Sequence, residues 1–201
     1  MSIGAVILAA GLSRRMGRAK QLLPIAGKPM VVHVAEAALA AGLKPVVIVT
    51  GHLHNEIADA LSPLSAALEL THNPRFHEGM GTSIAHGIDH LGERAEAALI
   101  MLADQPYLPA DVIRSLTAHY RAEREKGIRM VRAAYHGIPG HPVLFDATLF
   151  PALTRLSGDE GGRSLMRQHP QQLRVIPFDN AKWGLDVDTE EEYDRLVKMN
   201  H

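Results

Sequence analysis

The stretch from Leu8 to Met30 combines residue types that bind phosphate. Gly11 and Gly17 can expose backbone N–H groups, and basic side chains stand close to both glycines. The net charge of the whole chain is −1, so this positive charge is local. The stretch lacks the Lys-Ser/Thr pair of a P-loop and the G-x-G-x-x-G spacing of a dinucleotide fingerprint. We predict a phosphate-binding loop of another type, with a solvated basic loop as the alternative; its basic residues are Arg14, Arg15, Arg18 and Lys20.

Carboxylates at two further places have the chemistry of a Mg²⁺ site. Asp104 directly follows the apolar run Ala97–Ala103, and Asp186 and Asp188 stand two residues apart near the end of the chain. Oxygen ligands are those that Mg²⁺ prefers, and alternation along an extended segment would point Asp186 and Asp188 to the same side. Each place has a structural alternative, because Asp104 can end a strand in a turn and Asp188 can cap a following helix.

Three other patterns point to catalysis or metal binding less strongly. Gly81–Ala85 departs from the G-x-S-x-G nucleophile elbow at its last position and follows a long loop instead of a strand. His86 and His90 have zinc-ligand spacing, but no Glu completes an H-E-x-x-H motif, so we predict an exposed helix face. His141 lies in a loop shaped by glycine and proline, where a solvated histidine is the alternative to a ligand-binding one.

Apolar runs of strand length alternate with helix-like segments along the chain. The predicted strands are Ile3–Ala9, Pro45–Gly51, Leu68–His72, Ala97–Ala103, Arg129–Ala134, Pro142–Phe145 and Leu173–Pro177. The predicted helices are Pro29–Ala41, Asn55–Leu61, Thr82–Leu91, Pro109–Lys126, Ala147–Leu153, Arg163–His169 and Thr189–Met199. This alternation predicts a three-layer α/β fold with a mostly parallel sheet. Ligands of such sheets bind beyond the carboxyl ends of the strands, which marks the loops after Ala9, His72 and Ala103.

Composition argues against several classes of protein. The chain has no cysteine, which excludes disulfides and thiolate metal sites and is compatible with a reducing cytosol. Near-neutral net charge and an aromatic content of 4% argue against nucleic-acid binding. No apolar run has the length of a signal peptide or a membrane span. We therefore expect a cytoplasmic protein that acts on a small molecule.

Taken together, the motifs resemble those of the MobA-like nucleotidyltransferases. The stretch LAAGLSRRMGRAKQLLPIAGKPM follows the pattern L-A-A-G-x-S-x-R-M-G-x-x-K-x-L-L. NPRFHEGMGTSIAHG, LADQPYL, GHPVLF, GDEGGRSLM and DVDTEEEY then follow in the order of the molybdenum cofactor cytidylyltransferase branch. The resemblance covers most of the chain. It implies a Rossmann-like nucleotidyltransferase fold related to the GT-A fold, with one domain over residues 1–201 and an acceptor-side elaboration at about residues 134–178.

The resemblance also implies a reaction. CMP would pass from CTP to the terminal phosphate of the molybdopterin cofactor, with Mg²⁺ as the metal cofactor and pyrophosphate as the second product. The attacking oxygen is already anionic near neutral pH, so catalysis would rest on positioning and charge neutralisation instead of a side-chain nucleophile. The expected partners are CTP, the molybdopterin cofactor and the molybdoenzyme that receives the product.

The same resemblance implies roles for particular residues. The catalytic residues would be Arg15, Lys20 and Asp104. Mg²⁺ would be held by Asp104 and by one aspartate of the Asp186/Asp188 pair, preferably Asp188. The pterin would face His141, Asp159 and Arg163. The nucleotide would be bound by Leu8, Ala9, Ala10, Gly11, Arg15, Lys20, Asn73, Gly79, Met80, Ser83 and Asp104.

Three alternatives stay open at this point. A nucleotidyltransferase that uses GTP, or another phosphorylated acceptor such as a sugar or alditol phosphate, would carry the same motifs. A GT-A glycosyltransferase would explain the D-x-D at Asp186–Asp188, although that motif normally follows a central strand. A chaperone that binds nucleotide or cofactor without turnover would have the phosphate-binding loop but would not catalyse nucleotidyl transfer.

Overall fold

The computed structural model describes residues 2–13, 16–159 and 161–198. The predicted site residue Arg15, together with Arg14, lies outside the described residues. The strands are β1 (Ile3–Ala9), β2 (Pro24–Ile25), β3 (Lys28–Pro29), β4 (Val46–Thr50), β5 (Glu69–His72), β6 (Ala97–Leu102), β7 (Met130–Tyr135), β8 (Ile138–Asp146) and β9 (Leu173–Phe178). The α-helices are α1 (Met30–Ala40), α2 (His54–Ala60), α3 (Met80–Leu91), α4 (Ala110–Glu123), α5 (Phe150–Leu153), α6 (Arg163–Gln168) and α7 (Glu190–Lys198).

Seven strands form one sheet in the order β5-β4-β1-β6-β8-β7-β9 within the described ranges. β1 pairs in parallel with β4 and β6, β4 with β5, and β7 with β9, whereas β8 runs antiparallel to both of its neighbours. The predicted mostly parallel sheet is therefore confirmed. β2 and β3 form a separate two-stranded ribbon beside it.

The side chains of β1 alternate between two apolar layers. Ile3, Ala5 and Ile7 pack in the cluster that contains the buried faces of α1 and α4. Val6 packs in the opposite cluster, with α3, α5 and α6. Because both faces of β1 are covered by helices, the strand is a continuous apolar run, as is usual for a central parallel strand. This arrangement confirms the three-layer α/β fold.

The largest difference from the predicted elements is in β8. We predicted a short strand over Pro142–Phe145, but β8 begins at Ile138. Its first residues contain glycine and proline, which the pattern assigns to a loop. In the structure a two-residue turn, with His136 at φ 48° and Gly137 at φ 80°, returns the chain from β7 and extends the pairing.

Other differences lie mainly at element ends. The predicted helix Ala147–Leu153 is a 3₁₀ turn, Ala147–Leu149, followed by the four-residue helix α5. Helix α3 begins two residues before its predicted start at Thr82. The predicted end of the last helix, Met199, lies outside the described residues. No helix in the described part of the chain is long and apolar enough to cross a membrane.

Helix α7 is attached to the segment that follows β1. A small apolar cluster joins Tyr193 and Leu196 of α7 to the β2–β3 ribbon. The Tyr193 hydroxyl donates a hydrogen bond to the Pro24 carbonyl oxygen at 2.8 Å. The Arg18 guanidinium donates two hydrogen bonds to the Glu190 carboxylate, at 2.7 and 2.5 Å. These contacts bring the end of the chain next to the predicted phosphate loop.

Gly87 allows α3 to lie close to the sheet, and its replacement should destabilise the fold. A Cβ at this position would lie 2.3 Å from Val6 Cγ1 and 2.8 Å from Val49 Cγ2. We expect Gly87→Ala to lower the free energy of unfolding by about 1–3 kcal/mol through overpacking, although alanine favours helices by about 1 kcal/mol over glycine. Urea denaturation measures this change.

The matched control is Asp89→Ala, on the exposed side of the same helix. This substitution should change the free energy of unfolding by no more than about 0.5 kcal/mol. A Gly87→Ala protein as stable as the wild type would mean that α3 can move away from β1 and β4 at no cost.

Candidate functional site

A cleft of about 390 Å³ opens at the carboxyl edge of the sheet, in the size range of small-molecule sites. The loops that follow β1, β5 and β6 contribute to its lining, and these are the three loops that the strand order marks. Residues after β1 form one side, and those between β5 and α3 form the other. The lining includes Leu8, Ala10, Gly11, Leu12, Lys20, Gln21, Phe76, Gly79, Met80, Ser83, Leu102, Asp104 and Asp159.

Gln21 holds the loop after β1 in place. Its side chain is buried, and Gln21 Nε2 donates a hydrogen bond to the Gly11 carbonyl oxygen at 2.8 Å. The Lys20 backbone N–H donates to Ser13 Oγ at 3.2 Å, and Ser13 Oγ donates to Gln21 Oε1 at 3.4 Å. Gly11, Ser13 and Lys20 are therefore held together through Gln21 before a ligand arrives. Sequence reasoning missed Gln21, although a polar residue just before a Leu-Leu pair was the available signal.

The Lys20 ammonium joins two carboxylates from distant parts of the chain. Lys20 Nζ forms a close ion pair with Asp104 Oδ2 and lies 2.8 Å from Asp188 Oδ1. Burial by itself would lower the pKa of Lys20, but the two carboxylates outweigh burial and raise the pKa above its usual value. The ammonium therefore stays charged in the lining of the cleft.

Asp186 has a different partner from Asp188. Its Oδ1 accepts a hydrogen bond from Gln105 Nε2 at 2.7 Å. Much of the residue is exposed, but its carboxyl group is enclosed by protein. This enclosure, followed by the negative charge of Asp104, raises the pKa of Asp186 to about 6. Gln105 Oε1 is buried without a hydrogen-bond partner among the described residues. Sequence reasoning also missed Gln105, which directly follows Asp104.

Thr189, and not Asp188, caps helix α7. The Glu192 backbone N–H donates to Thr189 Oγ1 at 3.2 Å, and Glu192 Oε2 accepts from the Thr189 backbone N–H at 3.0 Å. This reciprocal pair is a capping box. The capping alternative for Asp188 is therefore not observed, and its carboxylate contacts Lys20.

The aspartates have the donor chemistry of a Mg²⁺ or Mn²⁺ site. Hard carboxylate oxygens suit both ions, and the ammonium of Lys20 already marks a position where these carboxylates stabilise a positive charge. No preformed cluster of three or more metal-ligating side chains was found in the described ranges. Asp104 and Asp188 would therefore hold a cation together with nucleotide phosphates, as is common for Mg²⁺.

A backbone crossing explains the glycines at the start of α3. Gly79 has φ 113°, and a Cβ there would lie 2.5 Å from the Gly158 carbonyl oxygen. The Gly81 N–H donates to the same oxygen at 2.7 Å. Asp159 Oδ1 accepts from the Met80 N–H at 3.3 Å. The Gly-x-Gly here accommodates the loop of residues 157–159, which forms part of the cleft wall.

Two predicted nucleotide-binding residues do not line the cleft. Ala9 is buried in the last position of β1. Asn73 is buried behind the wall, where Asn73 Nδ2 donates to Thr82 Oγ1 and Ser83 Oγ, both at 3.1 Å. Asn73 therefore positions Ser83, which does line the cleft, and faces away from the ligand space. Its position in the loop after β5 was predictable, but not the direction of its side chain.

A second cavity of about 80 Å³ adjoins the cleft, and Met80 and Asp159 line both spaces. It contains the predicted acceptor residues His141 and Arg163, and also Arg132, which sequence reasoning missed. Burial, with the positive charges of the two arginines, lowers the pKa of His141 to about 4, so the imidazole is neutral at neutral pH. The three predicted acceptor residues thus lie together, beside the cleft.

The histidine pair on α3 has a structural explanation. His86 Nε2 is hydrogen-bonded with Thr71 Oγ1 at 2.8 Å, while His90 Nε2 lies 3.0 Å from Glu69 Oε2. The two histidines therefore have separate partners instead of a shared metal.

Residues 5–173 match the MobA-like NTP transferase domain. This chain belongs to that family. The resemblance seen in the motifs is thereby confirmed, and the fold is that of a nucleotidyltransferase family.

Curated relatives of the MobA-like chain carry different names. Nicotine blue oxidoreductase of Paenarthrobacter nicotinovorans is 33% identical over 97% of this chain and 96% of its own length. Molybdenum cofactor cytidylyltransferase of Escherichia coli is 27% identical over 96% of this chain and 94% of its own. Membership of the family therefore does not by itself define the substrate.

A solved structure extends the comparison to the metal. Rv0371c of Mycobacterium tuberculosis H37Rv, in complex with manganese, has a TM-score of 0.80 and 26% identity, covering 98% of this chain and 99% of that one. A protein with this fold has therefore been crystallised with a divalent cation.

Proposed function

We propose that this protein transfers CMP from CTP to the terminal phosphate of the molybdopterin cofactor. The observation that carries the proposal is the Lys20 ammonium of the cleft lining, which is held between Asp104 and Asp188. A triphosphate needs positive charge, and a bound Mg²⁺ needs carboxylate oxygens near that charge. The cluster supplies both beside the backbone of residues 10–12.

The reaction balances without a side-chain nucleophile. An oxygen of the acceptor phosphate forms a bond to the α-phosphorus of CTP. The bond between the α-phosphorus and the oxygen that bridges it to the β-phosphorus breaks. The electron pair leaves with pyrophosphate. Lys20 and Arg15 would stabilise the charge on the α-phosphate and on the leaving group. Mg²⁺, held by Asp104 and Asp188 with Asp186 nearby, would supply further charge neutralisation.

The two spaces divide the substrates between them. Gly79, Met80 and Ser83 face the cleft where the nucleotide base would lie. One part of the acceptor would enter the second cavity, beside His141 and Arg163 from the elaboration at residues 134–178. Asp159 and Met80 border both spaces, so the two spaces adjoin, and the acceptor would extend from one into the other.

The choice of CTP and molybdopterin rests on the late motifs and on the cytidylyltransferase relative. Calorimetry with CTP, GTP, ATP and UTP, with and without Mg²⁺, tests it. We expect CTP to bind most tightly and only with the metal. A preference for GTP would favour the alternative of a nucleotidyltransferase that uses GTP. Binding of a hydride-donating cofactor in place of all four nucleotides would favour an oxidoreductase, as in the relative of that name.

Replacing His141 should affect the acceptor and not the nucleotide. His141 lines the second cavity, so His141→Ala should raise the KM for the acceptor by roughly tenfold through the loss of one hydrogen-bonding group. The Kd for CTP should stay the same. Transfer kinetics and calorimetry measure the two constants. The control is His119→Ala, because α4 covers the opposite face of the sheet. Weakened CTP binding in His141→Ala would contradict the division of the two spaces.

A further inference from the structure

We propose that the second cavity is an oxyanion-binding subsite in which Arg132 and Arg163 together bind a negatively charged group of the acceptor. The identity of the acceptor rests on the proposed function. The assignment of the subsite rests on the cavity itself.

Arg132 and Arg163 face the same small space. Both line the cavity, and neither forms an ion pair with an acidic side chain among the described residues. Burial and the positive charge of Arg163 lower the pKa of Arg132. Asp159 contributes the one acidic side chain to the described lining, and its Oδ1 accepts from the Met80 N–H. Two neighbouring guanidinium groups repel each other unless an anion lies between them.

Two hydrogen bonds hold Arg132 in position and leave other N–H donors of its guanidinium group available. Arg132 Nε donates to the Gly140 carbonyl oxygen at 3.1 Å, and Nη2 donates to the Pro139 carbonyl oxygen at 3.1 Å. A guanidinium has five N–H donors in a fixed plane, so most remain for a ligand. The group is therefore oriented before binding, which reduces the entropy lost when an anion arrives.

A bulge between β7 and β8 forms this arrangement. Arg132 pairs with Val143 and Ala134 pairs with Pro139, so three residues of β8 lie opposite the single residue Ala133. Bulges of this kind redirect side chains near binding sites. The three residues of β8 include His141, whose neutral imidazole can accept or donate a hydrogen bond beside the two arginines.

The rest of the lining is apolar and strengthens electrostatic interactions. The apolar side chains are Met80, Ile84, Ile100, Val143, Phe145 and Met166. In such surroundings an anion that contacts two guanidinium groups is bound more strongly than in water.

The size of the cavity limits what it can bind. At about 80 Å³ it accommodates one small oxyanion group and not a nucleotide. The phosphate that attacks CTP has to lie in the main cleft beside Lys20 and Asp104. A group held by Arg132 is therefore a second anionic group of the same acceptor. The substrate class is a molecule with a terminal phosphate and a separate oxyanion.

Binding of molybdate, a tetrahedral oxyanion with an anomalous signal, tests the subsite without CTP or turnover. We expect calorimetry on the full chain to give a Kd for molybdate that is at least about tenfold higher for Arg132→Gln and for Arg163→Gln than for the wild type. The control Arg121→Gln, on the exposed side of α4, should bind as the wild type does. Crystals soaked in molybdate should show the anion between Arg132 and Arg163.

Two outcomes would overturn the assignment. One is equal binding by the wild type and Arg132→Gln; the other is an anion found only beside Lys20. CTP binding, measured separately, tests the proposed function. If CTP does not bind and molybdate binding depends on Arg132, the proposed function fails and the subsite stands. In transfer assays Arg132→Gln should raise the acceptor KM and leave the KM for CTP unchanged, which a general loss of structure would not do.

Discussion

Replacing Asp104 with asparagine should lower kcat for pyrophosphate release by on the order of a thousandfold. Asparagine keeps the shape of the side chain and removes its charge. The variant therefore loses a proposed metal ligand and an ion-pair partner of Lys20 in one change. A pyrophosphate-release assay with CTP and acceptor, at saturating Mg²⁺ and again at saturating Mn²⁺, measures the effect.

The fold should survive this substitution. Asp104 lies beyond the end of β6, and the backbone hydrogen bond from the Val187 N–H to the Asp104 carbonyl oxygen, at 3.3 Å, does not need the carboxylate. The Lys20 ammonium keeps Asp188 as a partner. The midpoint temperature of thermal unfolding should therefore change little. The control is Asp111→Asn, which replaces an exposed acid on α4 and should keep full turnover. Unchanged turnover in Asp104→Asn would contradict the proposed role of this residue in metal binding.

The central part of the site follows from sequence, because it depends on strand order. β1, β4 and β6 are nearly continuous apolar runs, and their boundaries were predicted within one or two residues. Once the strands are parallel, the residues after each carboxyl end must meet at one edge. The proximity of the loop after β1 to Asp104 is therefore predictable from the strand order, whereas the position of Lys20 within that loop was implied by the family resemblance.

The supporting contacts could not be predicted, because they depend on side-chain directions outside regular elements. Asp186 and Asp188 would point the same way in an ideal extended segment, but Gln105 bonds one and Lys20 the other. In the sequence Arg132 is an ordinary polar residue of a predicted strand. In the structure the bulge opposite Ala133 brings it to the cavity. No local pattern in the sequence encodes such a register shift.

Replacing Lys20 with alanine should lower kcat by on the order of a hundredfold or more. In the proposed reaction the ammonium stabilises charge that builds up on the α-phosphate and the departing pyrophosphate, so its effect should appear in kcat. The control is Lys28→Ala. This substitution removes an exposed lysine of the β2–β3 ribbon, which forms an ion pair with Glu36 of α1. An effect confined to KM would show that Lys20 binds the ground state and the transition state equally.

The same variant should bind a divalent cation more tightly when no nucleotide is present. In the nucleotide-free protein the ammonium of Lys20 occupies the space between Asp104 and Asp188 and repels a second cation. Without it, the two carboxylates and nearby Asp186 are left close together with their mutual repulsion uncompensated. Mn²⁺ titration should therefore give a lower Kd for Lys20→Ala than for the wild type, while turnover falls. A higher Kd for Mn²⁺ would mean that Lys20 orients the carboxylates for the metal, and that the competition between ammonium and metal does not exist.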